Sequence, residues 1–225
     1  MARHWDLLGT AAIPGTQDVL HLFRDKDNFS IRLKGGLELM NTRKHGSEDA
    51  LGRLPVQRLR NVKDARVLVG GLGMGFTLAA VLAEVGPKAV VTAAELVPEV
   101  IEWNLGPLGE ASGYPLKDPR TRVYRGDVGA LLQEQESVFD VISLDVDNGP
   151  GGLTSRENDR LYSMRGVAAA QAALRPGGVL AYWSATPDAA FRKLLACLDP
   201  AVEEVRVHAH GTRGPKHIIW MLGRG

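Results

Sequence analysis

The chain has 225 residues, of which 44% are hydrophobic, enough for a real core and too many for disorder. Its 27 basic and 26 acidic residues leave a formal net charge of +1, which argues against a nucleic-acid or membrane-surface binder. The lone cysteine, Cys197, excludes an internal disulfide, and no apolar run approaches the roughly 18 residues of a membrane span. This length suits one main domain with a small appendage.

Met1 to Asp6 lacks the apolar core of a signal peptide, so cytoplasm is the expected compartment. Val19 to Arg24 and Phe29 to Leu33 flank the polar turn Asp25-Lys26-Asp27-Asn28, and Gly35-Gly36 precedes Leu37-Glu38-Leu39-Met40. Alternation with turns between reads as a small β-meander. Ser47 is placed to cap a helix that starts Ser47-Glu48-Asp49. Residues 1–60 are thus expected to form a β-meander with a linking helix, and 61–225 a second domain. From Ala65 onward, strands at 66–70, 89–94, 121–125, 139–145 and 178–184 alternate with helices at 75–85, 98–104, 127–135, 158–174 and 187–198. That is the pattern of a mostly parallel α/β sheet covered on both faces. Cys197, in the last of these helices, reads as a core residue. Val202 to Ala209 and His217 to Leu222 are joined through Gly211-Thr212-Arg213-Gly214-Pro215, a hairpin that should bring the last strand in antiparallel.

The stretch Val67-Leu68-Val69-Gly70-Gly71-Leu72-Gly73-Met74-Gly75-Phe76-Thr77-Leu78 carries the strongest functional signal. A buried strand breaks into glycines and continues into a helix, so the backbone can approach a ligand closely near free N–H groups. About 20 residues on, a second strand ends in Glu95, where a carboxylate can accept both hydroxyls of a ribose. The third strand is followed by Gly126-Asp127, and Asp127 can either accept from an adenine amino group or cap the next helix. The fourth strand ends in Asp145. Three carboxylates at successive strand ends point to one crevice of an open α/β sheet. His208, His210 and His217 lack the companion spacing of a metal site, and no metal is expected.

Taken together, these motifs resemble the spermidine synthase (polyamine aminopropyltransferase) family, whose fold is a class I AdoMet-dependent methyltransferase-like sheet behind a small N-terminal β segment. The family's G-G-G-D-G-G-T-L corresponds to Gly71-Leu72-Gly73-Met74-Gly75-Phe76-Thr77-Leu78. Its V-E-I-D-P-x-V-I corresponds to Ala94-Glu95-Leu96-Val97-Pro98-Glu99-Val100-Ile101, and its G-D-G to Gly126-Asp127-Val128. Its D-S-S-D-P-x-G-P corresponds to Asp145-Val146-Asp147-Asn148-Gly149-Pro150-Gly151-Gly152, followed by Tyr162 and by Pro176-Gly177-Gly178. The resemblance implies a donor held by Gly71, Gly73, Met74, Gly75, Glu95, Leu96, Gly126, Asp127, Val128 and Asp145, and a homodimer built through the N-terminal segment. Asp145 would orient and deprotonate an attacking amine. Tyr162 can hydrogen-bond the nucleophile or sit in the core, and Trp183 can floor the acceptor pocket or pack.

Two departures bear on the chemistry. The family's glycine-loop aspartate suits the ammonium tail of decarboxylated AdoMet, and here that position is Met74. An aspartate beside the carboxylate of intact AdoMet would cost about 1–4 kcal/mol at about 4 Å, so a neutral residue favours S-adenosylmethionine as donor. The second aspartate of D-x-x-D is Asn148, and Y-H-E is replaced by His45-Gly46-Ser47-Glu48-Asp49, to which no role is assigned. Asp147 or Glu38 can supply the missing charge, although Glu38 equally reads as a solvated strand residue. The expected function is therefore transfer of a methyl group from AdoMet to a small amine acceptor. The alternatives are aminopropyl transfer from decarboxylated AdoMet with an altered amine site, and a non-catalytic nucleoside-binding module. Residues 149–154 read either as a lid or as a static turn.

Overall fold

The computed structural model describes residues 4–146, 160–210 and 213–224. An N-terminal antiparallel sheet in the order β1-β2-β3-β4 comprises β1 (Asp6–Ala12), β2 (Val19–Asp25), β3 (Asn28–Leu33) and β4 (Glu38–Asn41). The chain then enters helix α1 (Gly46–Val56) and alternates through β5 (Arg66–Gly70), α2 (Phe76–Glu84), β6 (Val90–Glu95), α3 (Pro98–Leu105), α4 (Gly109–Ser112), β7 (Thr121–Arg125), α5 (Val128–Gln133) and β8 (Phe139–Leu144). It closes with α6 (Met164–Ala173), β9 (Leu174–Ser184), α7 (Ala189–Leu198), β10 (Glu203–His210) and β11 (Arg213–Gly223). The second sheet has seven strands in the order β10-β11-β9-β8-β5-β6-β7. Strands β5 to β9 pair in parallel, and β11 lies antiparallel between β9 and β10, as the terminal hairpin requires.

Side-chain alternation divides the core. Val67 and Val69 face α1, α2 and the N-terminal sheet, in one cluster with Leu51, Val81, Leu22 and Ile31. Leu68 faces the opposite way and packs with Leu132, Val167 and Leu195 of α5, α6 and α7. After the exposed Arg66, both faces of β5 are buried, which is why Val67 to Gly70 are apolar without alternation. The strand order reverses between β5 and β8, and a crevice opens at such a switch point beyond the C-terminal strand ends.

Several details differ from the sequence reading. Strand β1 carries no clear sequence signal; Gly9 lets it cross Trp103 of α3, since a Cβ there would lie 2.8 Å from the indole Nε1. Ser47 does not cap α1: the cap position is His45, and the Ser47 hydroxyl is engaged elsewhere. Cys197 is exposed rather than core, because the buried stripe of α7 runs through Phe191 and Leu195 and leaves it on the outer face. The helix expected over 158–174 is described as α6 from Met164, where the Ser163 hydroxyl accepts from the Gly166 N–H at 3.1 Å. Strand β9 begins at Leu174 rather than 178, because Pro176-Gly177-Gly178 forms an irregularity inside it: β8 advances from Phe139 to Val141 while β9 advances from Leu174 to Val179. Among the described residues, no helix is long and apolar enough to cross a membrane.

Candidate active site

Backbone bonds lace the strand ends that frame the crevice. Asp145 N–H donates to Gly70 C=O at 2.7 Å, Gly71 N–H to Ala94 C=O at 2.9 Å, and Gly126 N–H to Glu95 C=O at 2.9 Å. Gly71 is required for this approach. Its φ is +88°, and a Cβ would lie 2.1 Å from the Asp145 carbonyl oxygen. Gly73 turns the loop beneath Met40 of β4, and its carbonyl accepts from the buried Asn104 amide at 2.9 Å. Gly75 faces α3 and α4 instead, where a Cβ would meet Asn104 Oδ1 and Ser112 Oγ at 2.9 Å, and it does not line the cleft.

The resulting cleft is lined by Gly71, Gly73, Met74, Glu95, Leu96, Gly126, Asp127, Val128, Asp145 and Trp183. Ile13, Leu20, Ile31, Leu39 and Met40 of the N-terminal segment cover it with an apolar wall. Glu95 accepts from Leu72 N–H at 3.0 Å and from Val97 N–H at 2.9 Å, so the glycine loop and the start of α3 both orient it. Burial pushes its carboxyl above the usual range despite these bonds. Asp127 caps α5, accepting from Gly129 N–H at 2.9 Å and Ala130 N–H at 3.2 Å while also lining the cleft. Asp145 accepts from the Thr77 hydroxyl at 2.7 Å, and burial pushes its carboxyl up to about 6.

The sequence assigns Glu48 no role. The structure brings it to the same cleft from α1. Burial, and next the charge of Asp145, push its carboxyl up to about 7. A signal for it existed: Glu48 stands at i with the buried Leu51, Gly52 and Pro55 at i+3, i+4 and i+7. An acid on the apolar stripe of a helix is the informative kind of buried polar residue.

Other expected residues are placed less directly. Tyr162 does not line the cleft; its hydroxyl donates to the Val146 carbonyl at 2.8 Å and its ring packs with Tyr182 and Phe191. Trp183 lines the cleft with its ring edge-on to His217, and its indole N–H is buried without a partner among the described residues. Glu38 does not line the cleft and accepts from Ser30 and Asn41 side chains. Asp147, Asn148 and the 149–154 loop lie outside the described residues. Among the described residues, no group of three or more His, Cys, Asp or Glu is disposed to hold a metal ion.

No protein-family model matches the chain, and a search of curated proteins finds no match. Solved structures do match over 97% of the chain. A spermidine synthase in complex with the transition state analogue AdoDATO is 19% identical, with a TM-score of 0.77 over 72% of its own length. The spermidine synthase from Thermotoga maritima is 19% identical, with a TM-score of 0.78 over 73% of its length. A probable spermidine synthase from Corynebacterium glutamicum is also 19% identical, with a TM-score of 0.66 over 80% of its length. The chain therefore has a spermidine synthase-like fold, a class I methyltransferase-like sheet with a small N-terminal antiparallel sheet.

Proposed function

We propose that the chain is a transferase that moves an aminopropyl group from an AdoMet-type sulfonium donor to an amine. One observation supports this above the rest. Glu48, Glu95 and Asp145 line a single cleft, and among the described residues none forms an ion pair. Buried carboxylates without a cation are costly, and a substrate bearing sulfonium and ammonium centres supplies the missing charge. Glu95 accepts the ribose hydroxyls, Asp127 faces the adenine, and Gly71 and Gly73 leave room for the donor's tail. The acceptor nitrogen attacks the carbon next to sulfur. An N–C bond forms, the S–C bond breaks with its electron pair going to sulfur, and a neutral thioether leaves. Asp145 takes the ammonium proton, and a carboxyl near 6 suits a base working at neutral pH. The likeness to spermidine synthases favours this reading over the methyl transfer expected from sequence.

Methyl transfer remains the second reading because a specific residue favours it: Met74, buried at 4% exposure, lines the cleft where an acid would suit the decarboxylated donor. Calorimetric titration with AdoMet and decarboxylated AdoMet, followed by product analysis with an amine panel, separates the two. Tighter binding of the decarboxylated donor and release of methylthioadenosine are expected. Release of S-adenosylhomocysteine would instead establish methyl transfer. Binding without either product would leave a nucleoside-binding module.

A further inference from the structure

We infer that Glu48 is the second acid of the amine site, binding the acceptor's cationic nitrogen beside Asp145, and that Ser47 and His217 are the residues that position it. The inference rests on the transferase reading for the identity of the site and adds to it the acid that recognises the acceptor. Ser47, fully buried, donates from its hydroxyl to Glu48 Oε2 at 2.5 Å and lies 2.8 Å from His217 Nδ1. A serine has one hydroxyl proton. With Glu48 ionised, that proton goes to the carboxylate, so His217 must donate to Ser47 from Nδ1–H. The resulting chain runs from β11 to α1 in one direction and ties up one oxygen of Glu48, leaving Oε1 for a ligand. Trp183 fixes the imidazole, with its ring edge-on at 4.9 Å.

The charged groups around Glu48 make it an acceptor site rather than a structural ion pair. His45, at the head of α1, bonds to Asp49 at 2.8 Å and stacks on Phe76. It acts on Glu48 only through space, and weakly. Just past the end of β8, Asp145 adds a like charge. On β11, His217 is held neutral by burial and by Lys44. Two acids on one cleft, with no ion-paired cation among the described residues, match an ammonium group.

The test is calorimetry of 1,4-diaminobutane binding, with and without saturating methylthioadenosine. Glu48→Gln should weaken diamine binding at least about ten-fold, the scale of a lost charged hydrogen bond, while methylthioadenosine affinity stays within about two-fold. Wild-type diamine affinity should rise with pH as the two acids ionise near 6 and 7. Ser47→Ala should move that midpoint upward, because the hydroxyl bond favours the ionised carboxylate. His217→Leu should do the same, whereas His217→Asn, which keeps an N–H donor, should restore the wild-type midpoint. Failure of methylthioadenosine to bind would remove the transferase reading, and the diamine titration alone would still judge Glu48. Absence of diamine binding by the wild type, or equal affinity in Glu48→Gln, overturns the inference. Should Glu48→Gln fold poorly, an unmoved midpoint in Ser47→Ala and His217→Leu overturns it equally.

Discussion

A carboxylate held near neutrality for a ligand weakens the protein that lacks the ligand. Glu48 titrates near 7 in the fold and near 4.5 in the unfolded chain. Below 4.5 both states are protonated and nothing is lost. Between 4.5 and 7 the unfolded chain ionises first, so stability falls as pH rises, and above 7 the full penalty is present. Glu48→Gln should therefore be more stable than the wild type at pH 8, by roughly 1–3 kcal/mol after allowing for the lost acid in the first turn of α1, and melt higher. Near pH 4 the difference should vanish. A gain of the same size at both pH values, seen by scanning calorimetry, would refute the electrostatic account. Glu95 lies on the donor side, and Glu95→Ala should weaken nucleoside binding by about 1.5–3 kcal/mol. Unchanged affinity by titration would remove it from the ribose site. The two acids were not equally legible in sequence. Glu95 follows the glycine loop at a spacing the fold imposes, so a local pattern reveals it. Glu48 shows locally only as an acid on the apolar stripe of α1; what positions it is Ser47, whose contact to His217 spans 170 residues and is carried by no local pattern.

Helix α1 delivers Glu48 only because it lies close against α2. Gly52 makes that contact: a Cβ there would stand 2.5 Å from the Thr77 carbonyl oxygen and 2.6 Å from Ala80 Cβ. Alanine is the better helix former by up to about 1 kcal/mol, and overpacking costs about 1–3 kcal/mol. Steric cost should win because the neighbours are backbone and a Cβ that cannot swing away. Gly52→Ala is expected to lower stability and, by lifting α1, to weaken diamine binding more than nucleoside binding. A stabilised variant in thermal melts would mean that the helices separate freely and that α1 is not fixed by this contact. The same distinction explains which elements the sequence reveals. The bounds of β5 and β7 agree with the sequence reading to the residue, since a buried apolar run, Val67 to Gly70, and a turn-bounded β-rich segment are local signals. β1 is exposed along most of its length and is defined by its pairing with β2, so its composition says little. Pro176-Gly177-Gly178 reads as the end of a loop and is instead an irregularity inside β9, a matter of register that only the neighbouring β8 determines.

At the scale of the whole molecule, the two sheets share one core. Leu22 and Ile31 of the N-terminal sheet are buried in the same cluster as Val67, Val69 and Val91 of the seven-stranded sheet. The cleft lies between them, with Leu20 and Ile31 on one side and Glu95 and Asp145 on the other. A four-stranded sheet with its apolar face stripped of that cover would expose much of what it buries, so the two sheets should unfold together. A ligand in the cleft then stabilises both by mass action. Methylthioadenosine at about 100 times its dissociation constant should add about 2.7 kcal/mol, which for a chain of this size raises the melting temperature by roughly 5–11 °C. Amide exchange should slow as much in Leu20 to Leu22 and Phe29 to Ile31 as in Val67 to Val69. Two separate melting transitions, or protection confined to the seven-stranded sheet, would mean that the N-terminal sheet opens independently. The apolar wall of the cleft would then be a gate rather than a fixed surface, and the acceptor would meet Glu48 and Asp145 only in its closed position.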